Sequence, residues 1–311
     1  MALTRRQILM VKKETTYGTS ASAAGTDALL VLNPQLTPLD GDILEREIID
    51  PSFGRVRSRI IAMRKLGLQF DVEAAGSGTA GTAPKLDPLL LSCGLNATIV
   101  ASTSVTYAPI STTPDSCELY HNWDGNKHQG LGSRGTFDLS FEAGQIPKFG
   151  FTMTGIYVPP TDVAFPTPTY TNQAAPVAFD STNTATVTVA SLSACVASFK
   201  LSLGNSVEFF DHGGCTKQAR ILDRMVEGSI TIERPDALSA RDFYALAIAG
   251  TTGAISFTHG TTAGNRLAVS VPTANFGPPK PVDIRGIAGL EIPFVALHTA
   301  GSSDELSLAF T

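Results

Sequence analysis

Leu66-Gly67-Leu68-Gln69-Phe70-Asp71-Val72-Glu73 places apolar residues at even positions and mostly polar ones at odd positions. A period of two marks a strand with one buried and one wet face, as in an antiparallel sheet. A glycine-rich loop, Ala75-Gly76-Ser77-Gly78-Thr79-Ala80-Gly81, comes next, and then the apolar segment Pro84 to Leu91, stopped by Gly94. Pro84 and Pro88 suit the first turn of a helix and Gly94 its C-terminal cap, so the stretch predicts strand, loop and one short helix.

A looser copy returns halfway along. Val226-Glu227-Gly228-Ser229-Ile230-Thr231-Ile232-Glu233 alternates in the same way, and Asp236 to Ile248 reads as a helix stopped by Gly250. Glu233 corresponds to Glu73, Ile230 to Phe70 and Gly250 to Gly94. Leu39 to Ile43 precedes the first strand as Leu203 to Val207 precedes the second. Alternating runs follow each helix, at Thr136–Phe141 and Phe149–Met153, then at Arg266–Val271 and Leu290–Val295. Shared order and element type predict a duplicated domain; two unrelated β-rich halves are the alternative.

The chain has 311 residues, enough for two domains with their own cores. Hydrophobic content is 43% and charged content only 16%, against a usual ~25%. So few charges predict that much of the surface is buried, with further copies of the chain as the expected partner. A net charge of −5 disfavours nucleic-acid binding through a basic patch. It suits both an acidic lining past which nucleic acid slides and ordinary solubility. Cys93, Cys117, Cys195 and Cys215 have no C-x-x-C spacing and read as reduced thiols in core or strand settings. The first residues lack the apolar core of a signal peptide, and no apolar run reaches the ~18 residues of a membrane span.

Taken in order, residues 1–160 form the first domain with an N-terminal arm, residues 161–193 a linker and residues 194–311 the second domain. The arm, residues 1–25, is polar and partly basic, then small and flexible; it is either a docking arm or a mobile terminus. The first strand is expected at Ala28–Leu32. Residues 40–64 are charged and read as irregular, either a loop whose charges pair across an interface or a solvated loop or bent edge strand. Asp124-Gly125 is a strong hairpin signal. Five prolines between Val158 and Ser193 predict an extended, semi-rigid linker.

Nothing nominates an enzyme. Gly76-Ser77-Gly78-Thr79-Ala80-Gly81 is a literal G-x-G-x-x-G, but its preceding strand is half polar and its helix short and proline-bearing. No ribose-binding acid stands near twenty residues on. There is no G-x-S-x-G and no H-E-x-x-H. The pair His121 and His128, flanking a hairpin, reads as ordinary surface or core histidine rather than a metal site. Asp71, Glu73, Asp138, Glu142 and Glu233 sit on the polar faces of predicted strands; if the sheets close into a tube, they are the candidate lumen-lining residues. No cofactor or metal is expected.

The opening Arg6-Gln7 … Lys12-Lys13-Glu14-Thr15-Thr16-Tyr17-Gly18-Thr19 resembles the start of major tail tube proteins of long-tailed, non-contractile (siphovirus-type) bacteriophages. So do Ala74 to Pro84 before the short helix, and Arg134-Gly135-Thr136 ahead of its strand. The likeness covers most of the chain and is clearest in residues 5–160; the length departs from it, since many such proteins have a single domain. The resemblance implies a mainly β fold of two similar β-sandwich/β-barrel-like tail-tube domains, each with one short flanking α-helix. Strands of neighbouring subunits would join into a continuous β-barrel. It implies a structural virion protein, assembled in the host cytoplasm into trimeric, pseudo-hexameric stacked rings that form a channel for DNA ejection. Candidate ring-stacking residues are Arg5, Arg6, Lys12, Lys13, Glu45, Glu47, Arg55, Arg57 and Arg59. The implied partners are other copies of the chain, tape-measure, tail terminator and distal tail proteins, and double-stranded DNA passing without specific binding. A capsid-decorating or baseplate protein and a carbohydrate-binding surface module are the alternatives.

Overall fold

The computed structural model describes residues 3–49, 51, 53 and 56–311. β1 (Gln7–Lys13) and β2 (Ala28–Leu29) open the chain. β3 (Leu32–Glu47) and β4 (Val56–Glu73) make a long hairpin, followed by α1 (Asp87–Ser92), β5 (Leu95–Val100), β6 (Ser104–Pro109), β7 (Cys117–Trp123), β8 (Asn126–Glu142) and β9 (Lys148–Asp162). The second half runs β10 (Val187–Val189), β11 (Leu192–Ser193), β12 (Val196–Ser202), β13 (Asn205–Phe210), β14 (Gln218–Arg224) and β15 (Glu227–Glu233). It continues with α2 (Phe243–Ala249), β16 (Thr252–His259), β17 (Leu267–Phe276), β18 (Lys280–Ile284), β19 (Ile287–Ala296) and β20 (Ser307–Phe310).

Apart from β13 and β14, which pair only with each other, these strands form two antiparallel layers, joined where the end of β17 pairs with β19. One runs β3-β4-β9-β8-β12-β15-β19-β18. The other runs β5-β6-β20-β17-β16-β10-β11. β7, β1 and β2 continue from the first part of β8. Both layers pass from one half of the chain to the other, because β12 pairs with β8 and β20 inserts between β6 and β17. Alternation explains the core between them. Even-numbered residues of β4 and odd-numbered ones of β8 and β9 point inward, burying Phe70, Phe137, Phe141, Phe149 and Phe151 in one apolar cluster with residues of the second half. Phe141 reaches across the layers to Phe257, ring centroids 5.0 Å apart and nearly perpendicular.

The two halves share a plan of hairpin, helix, hairpin, hairpin: β3–β4, α1, β5–β6, β8–β9, against β12/β13–β14/β15, α2, β16–β17, β18–β19. Both helices are shorter than their apolar runs. α1 buries Leu89, Leu90 and Leu91 and is capped at Cys93, after which Gly94 turns the chain with a φ of 81° that suits glycine. α2 starts at residue 243 rather than near Asp236, because the Asp242 carboxylate accepts the amides of Tyr244 and Ala245 at 3.0 Å and fixes the N-terminus there.

Three further expectations change. Residues 7–13, read as part of a polar arm, are a core strand, with Ile8, Leu9, Met10 and Val11 buried between Gln7 and Lys12. Of the readings of residues 40–64, the described part takes the bent edge strand and not the loop: residues 40–47 and 56–64 continue the β3–β4 hairpin through repeated register shifts. Cys93 and Cys117 are buried, but Cys195 and Cys215 are exposed. The Asp124-Gly125 turn forms as expected, with φ of 46° and 100°.

Candidate functional site

The pairing registers assign every face-to-face neighbour on the eight-stranded layer. Asp71 stands opposite Gly150, which stands opposite Asp138, then Ser202, then Glu227. The adjacent row is Glu73, Lys148, Ser140, Lys200 and Ser229. Glu142, Ser198, Thr231, Glu291 and Lys280 form the next, and Glu233 lies two residues beyond Thr231. Paired residues project to the same side, so all five acids singled out in the sequence share one solvent-facing surface, opposite the aromatic core. The surface also holds Glu227 and Glu291, which give seven acids in these rows against the three lysines Lys148, Lys200 and Lys280. Strand alternation alone put these groups on polar faces; only the register shows that the two halves present theirs on the same one. A concavity lined by Asp138, Ser140, Lys200, Ser202 and Glu227 lies where β8 meets β12 and β15.

This layer has two outer edges, β3 and β18. β18 turns into β19 through Arg285 and Gly286, with φ of 53° and 92°, a two-residue turn that makes Ile284 and Ile287 a hydrogen-bonded pair. By alternation, the backbone groups of Lys280, Val282 and Ile284 turn toward β19, and those of Pro281 and Asp283 turn outward. Pro281 therefore sits in the strand without costing a bond to β19.

The residues named for ring stacking fall on different strands and are largely paired within the chain. Arg6 meets Asp124 at 2.9 Å and lies 4.6 Å above the ring of Phe165; Lys12 is 3.7 Å from Asp27, and Lys13 is 2.6 Å from Asp115. Glu45 pairs with Arg59 at 2.8 Å across the β3–β4 hairpin. Arg5 is exposed and Glu47 ends β3. Arg55 lies outside the described residues, as does the side chain of Arg57. What the sequence reading missed on this hairpin is apolar: Ile43, Leu44, Ile60 and Ile61 are 59%, 53%, 52% and 42% exposed.

The G-x-G-x-x-G loop is used internally. The Gly76 amide donates to Asn265 Oδ1 at 2.8 Å and the Gly78 amide to the Gly264 carbonyl at 3.0 Å. A Cβ on Gly76 would stand 2.1 Å from the Gly264 oxygen. These glycines let the loop approach the second half of the chain, and those two amides are already committed to it. Among the described residues, no group of three or more His, Cys, Asp or Glu converges as a metal site.

His121 and His128 are direct cross-strand partners. Burial, with His128 opposite, pushes His121 down to about 4 from the ordinary 6.5. A histidine buried neutral must be able to charge on unfolding, so its contribution is complete above ~6.5 and is lost as pH falls through about 4. Denaturant melts between pH 7 and pH 4 are therefore expected to lose stability, about 3 kcal/mol of it from this group, and His121→Gln is expected to flatten that part of the profile.

The sequence model of a family described as phage tail tube protein matches residues 4–296. No curated protein matches the chain.

Proposed function

Since the chain belongs to the phage tail tube protein family, we propose that three copies close into a ring of six similar units and that rings stack into the tube through which the genome leaves. The observation that carries this reading is the junction between β8 and β12. It joins a four-stranded unit, β3-β4-β9-β8, to a second unit of the same plan within one layer. The free edges at β3 and β18 are the same two edge types, so the internal joint is a template for a joint between copies. Its register carries over through the shared pairings. Asp138 opposite Ser202 becomes Lys280 opposite Thr37 of a neighbouring copy, and Leu139 opposite Leu201 becomes Pro281 opposite Leu36.

Three layers of eight strands make a closed barrel roughly 45–50 Å across between backbones at ordinary strand spacing and tilt, wide enough for a DNA duplex. In that arrangement the acidic face is the bore and the aromatic core lies outside it. Seven acids against three lysines repel phosphate, so DNA passes without the counterion release that would hold it. The residues named for stacking, on the N-terminal segment and the β3–β4 hairpin, are assigned to contacts between rings. Tape-measure, tail terminator and distal tail proteins are the proposed partners, and the virion tail the proposed location. The division at residues 160 and 194 is retained as two units sharing both sheets. The role is structural, not enzymatic.

Negative-stain microscopy of the concentrated chain tests this: rings or hollow tubes are expected, and a persistent monomer at all concentrations opposes it. Reversing one row of the face, with Asp71→Lys, Asp138→Lys and Glu227→Lys together, is expected to make the assembly retain DNA. Retention should fall steeply between 50 and 200 mM salt, whereas the unaltered assembly retains none in a filter-binding assay.

A further inference from the structure

We propose that the exposed apolar end of α2 is a seat for the β3–β4 hairpin of a second copy of this chain. The proposal rests on the ring reading above and adds a contact that the reading does not itself require.

The chain already makes such a contact with itself. β13 and β14 form a separate two-stranded hairpin that leaves the layer just after β12 pairs with β8, and it lies against the end of α1. Asn205 Nδ2 donates to the carbonyls of Cys93 at 2.6 Å and Gly135 at 2.9 Å. Ile221 Cδ1 stands 3.3 Å from where a Cβ on Gly94 would be. The Ala219 amide donates to Tyr17 Oη at 2.7 Å, and Arg134 Nη1 donates to the Ala219 carbonyl at 3.0 Å. The hairpin thus covers Cys93 and Gly94 at that end of α1, while Ser92 is buried against Cys117 of β7.

The second half has the corresponding helix end without the hairpin, and without counterparts of β1 and β7, which also pack on α1. Gly250 caps α2, and Gly94 follows the Cys93 cap of α1; both are in the left-handed region and lead into a hairpin. Counted back from that glycine, Ile248 takes the place of Ser92, and it is 89% exposed. Among the described residues, and apart from its chain neighbours and the backbone of its own helix, nothing comes within 4 Å of a Cβ placed on Gly250. Asn275 Nδ2 donates to the Gly250 carbonyl at 3.1 Å, and Asn275 pairs with Val295, so the exposed Val295 adjoins the helix end.

The hairpin supplies the complement. With Phe70 equivalent to Ile230, Ile61 takes the place of Ile221, and their cross-strand partners are Ile43 and Val207. Ile43 and Ile61 are exposed here, as are their neighbours Leu44 and Ile60. Exposed aliphatic residues at both ends of one predicted contact are a large apolar area left without a partner in the single chain. A copy whose β3 pairs with β18 delivers its hairpin to this helix end, as β12 pairing with β8 delivers β13 to α1.

A covalent trap tests the seat. In a Cys195→Ser/Cys215→Ser background, a chain carrying Ile61→Cys and Ile248→Cys is treated with a short bis-maleimide at concentrations where rings form. Trimer-sized covalent species are expected, with none from either single cysteine. Rings without the cross-link would overturn the seat and leave the ring reading standing; no rings and no cross-link in the unsubstituted or substituted chain would overturn both. Ile248→Glu should raise the concentration for half-assembly at least tenfold with the melting temperature of the monomer unchanged, since the side chain is exposed there. Unchanged assembly would contradict the proposal.

Discussion

Asp283→Pro is expected to leave the subunit folded and reduce ring formation by about a thousandfold. Pro281 has no amide to offer, so Asp283 supplies the outward donor in the middle of β18. In the proposed joint, the register taken from β8 and β12 puts the carbonyl of Pro34 of the neighbour opposite it. Losing a hydrogen bond and stranding its acceptor costs about 1.4 kcal/mol or more, a factor of ten in one joint. The proposed ring has three joints, and the factors multiply. Asp283 also accepts the Gly286 amide through Oδ1 at 2.6 Å, so Asp283→Ala is the control: it loses the side chain but keeps the backbone donor, and it should assemble. Sedimentation of both variants alongside the unaltered chain separates the two effects. Equal assembly of the proline variant and the control would contradict the joint.

Phe141→Ala should cost about 3–5 kcal/mol, among the largest effects of any single truncation here. Its ring meets Phe179 at 5.3 Å, Phe257 at 5.0 Å and His259 at 5.5 Å, and also packs on Phe199. It comes from β8, while all four partners belong to later parts of the chain. The cavity left by the ring therefore opens between the halves rather than inside one of them. Because both sheets and the core cluster cross that boundary, unfolding should stay a single transition with a lower midpoint. Two transitions by urea melts, one unaffected by the substitution, would mean that the halves are independently stable.

Much of the layer architecture was legible in the sequence, because alternation of the Leu66–Glu73 kind depends only on which side of a strand meets the core. The duplicated order of hairpin, helix and strands was legible for the same reason. The strand at residues 7–13 was not, since a four-residue apolar run between basic residues carries too short a pattern to show a period. Helix starts were misplaced because a cap such as Asp242 acts through a local hydrogen bond, while the residues before it already read as helical. The acidic residues could be assigned to polar faces, but their gathering on one surface depends on the β8–β12 register, which joins residues some sixty positions apart. The apolar patches on the β3–β4 hairpin and α2 escaped the reading because exposed aliphatics look like core residues until the fold shows them uncovered. The hairpin's charges drew attention instead, and Glu45 and Arg59 are paired with each other.

The central claim is that the joint between β8 and β12 is repeated between copies by β18 and β3. A cryo-electron microscopy reconstruction of the assembled chain tests it most directly. The account predicts a threefold ring with near-sixfold symmetry, an inner barrel of twenty-four strands, and β18 of each copy hydrogen-bonded to β3 of the next with Lys280 opposite Thr37. A ring in which the outer edges of β18 and β3 remain unpaired, or in which the acidic face points away from the axis, would contradict it.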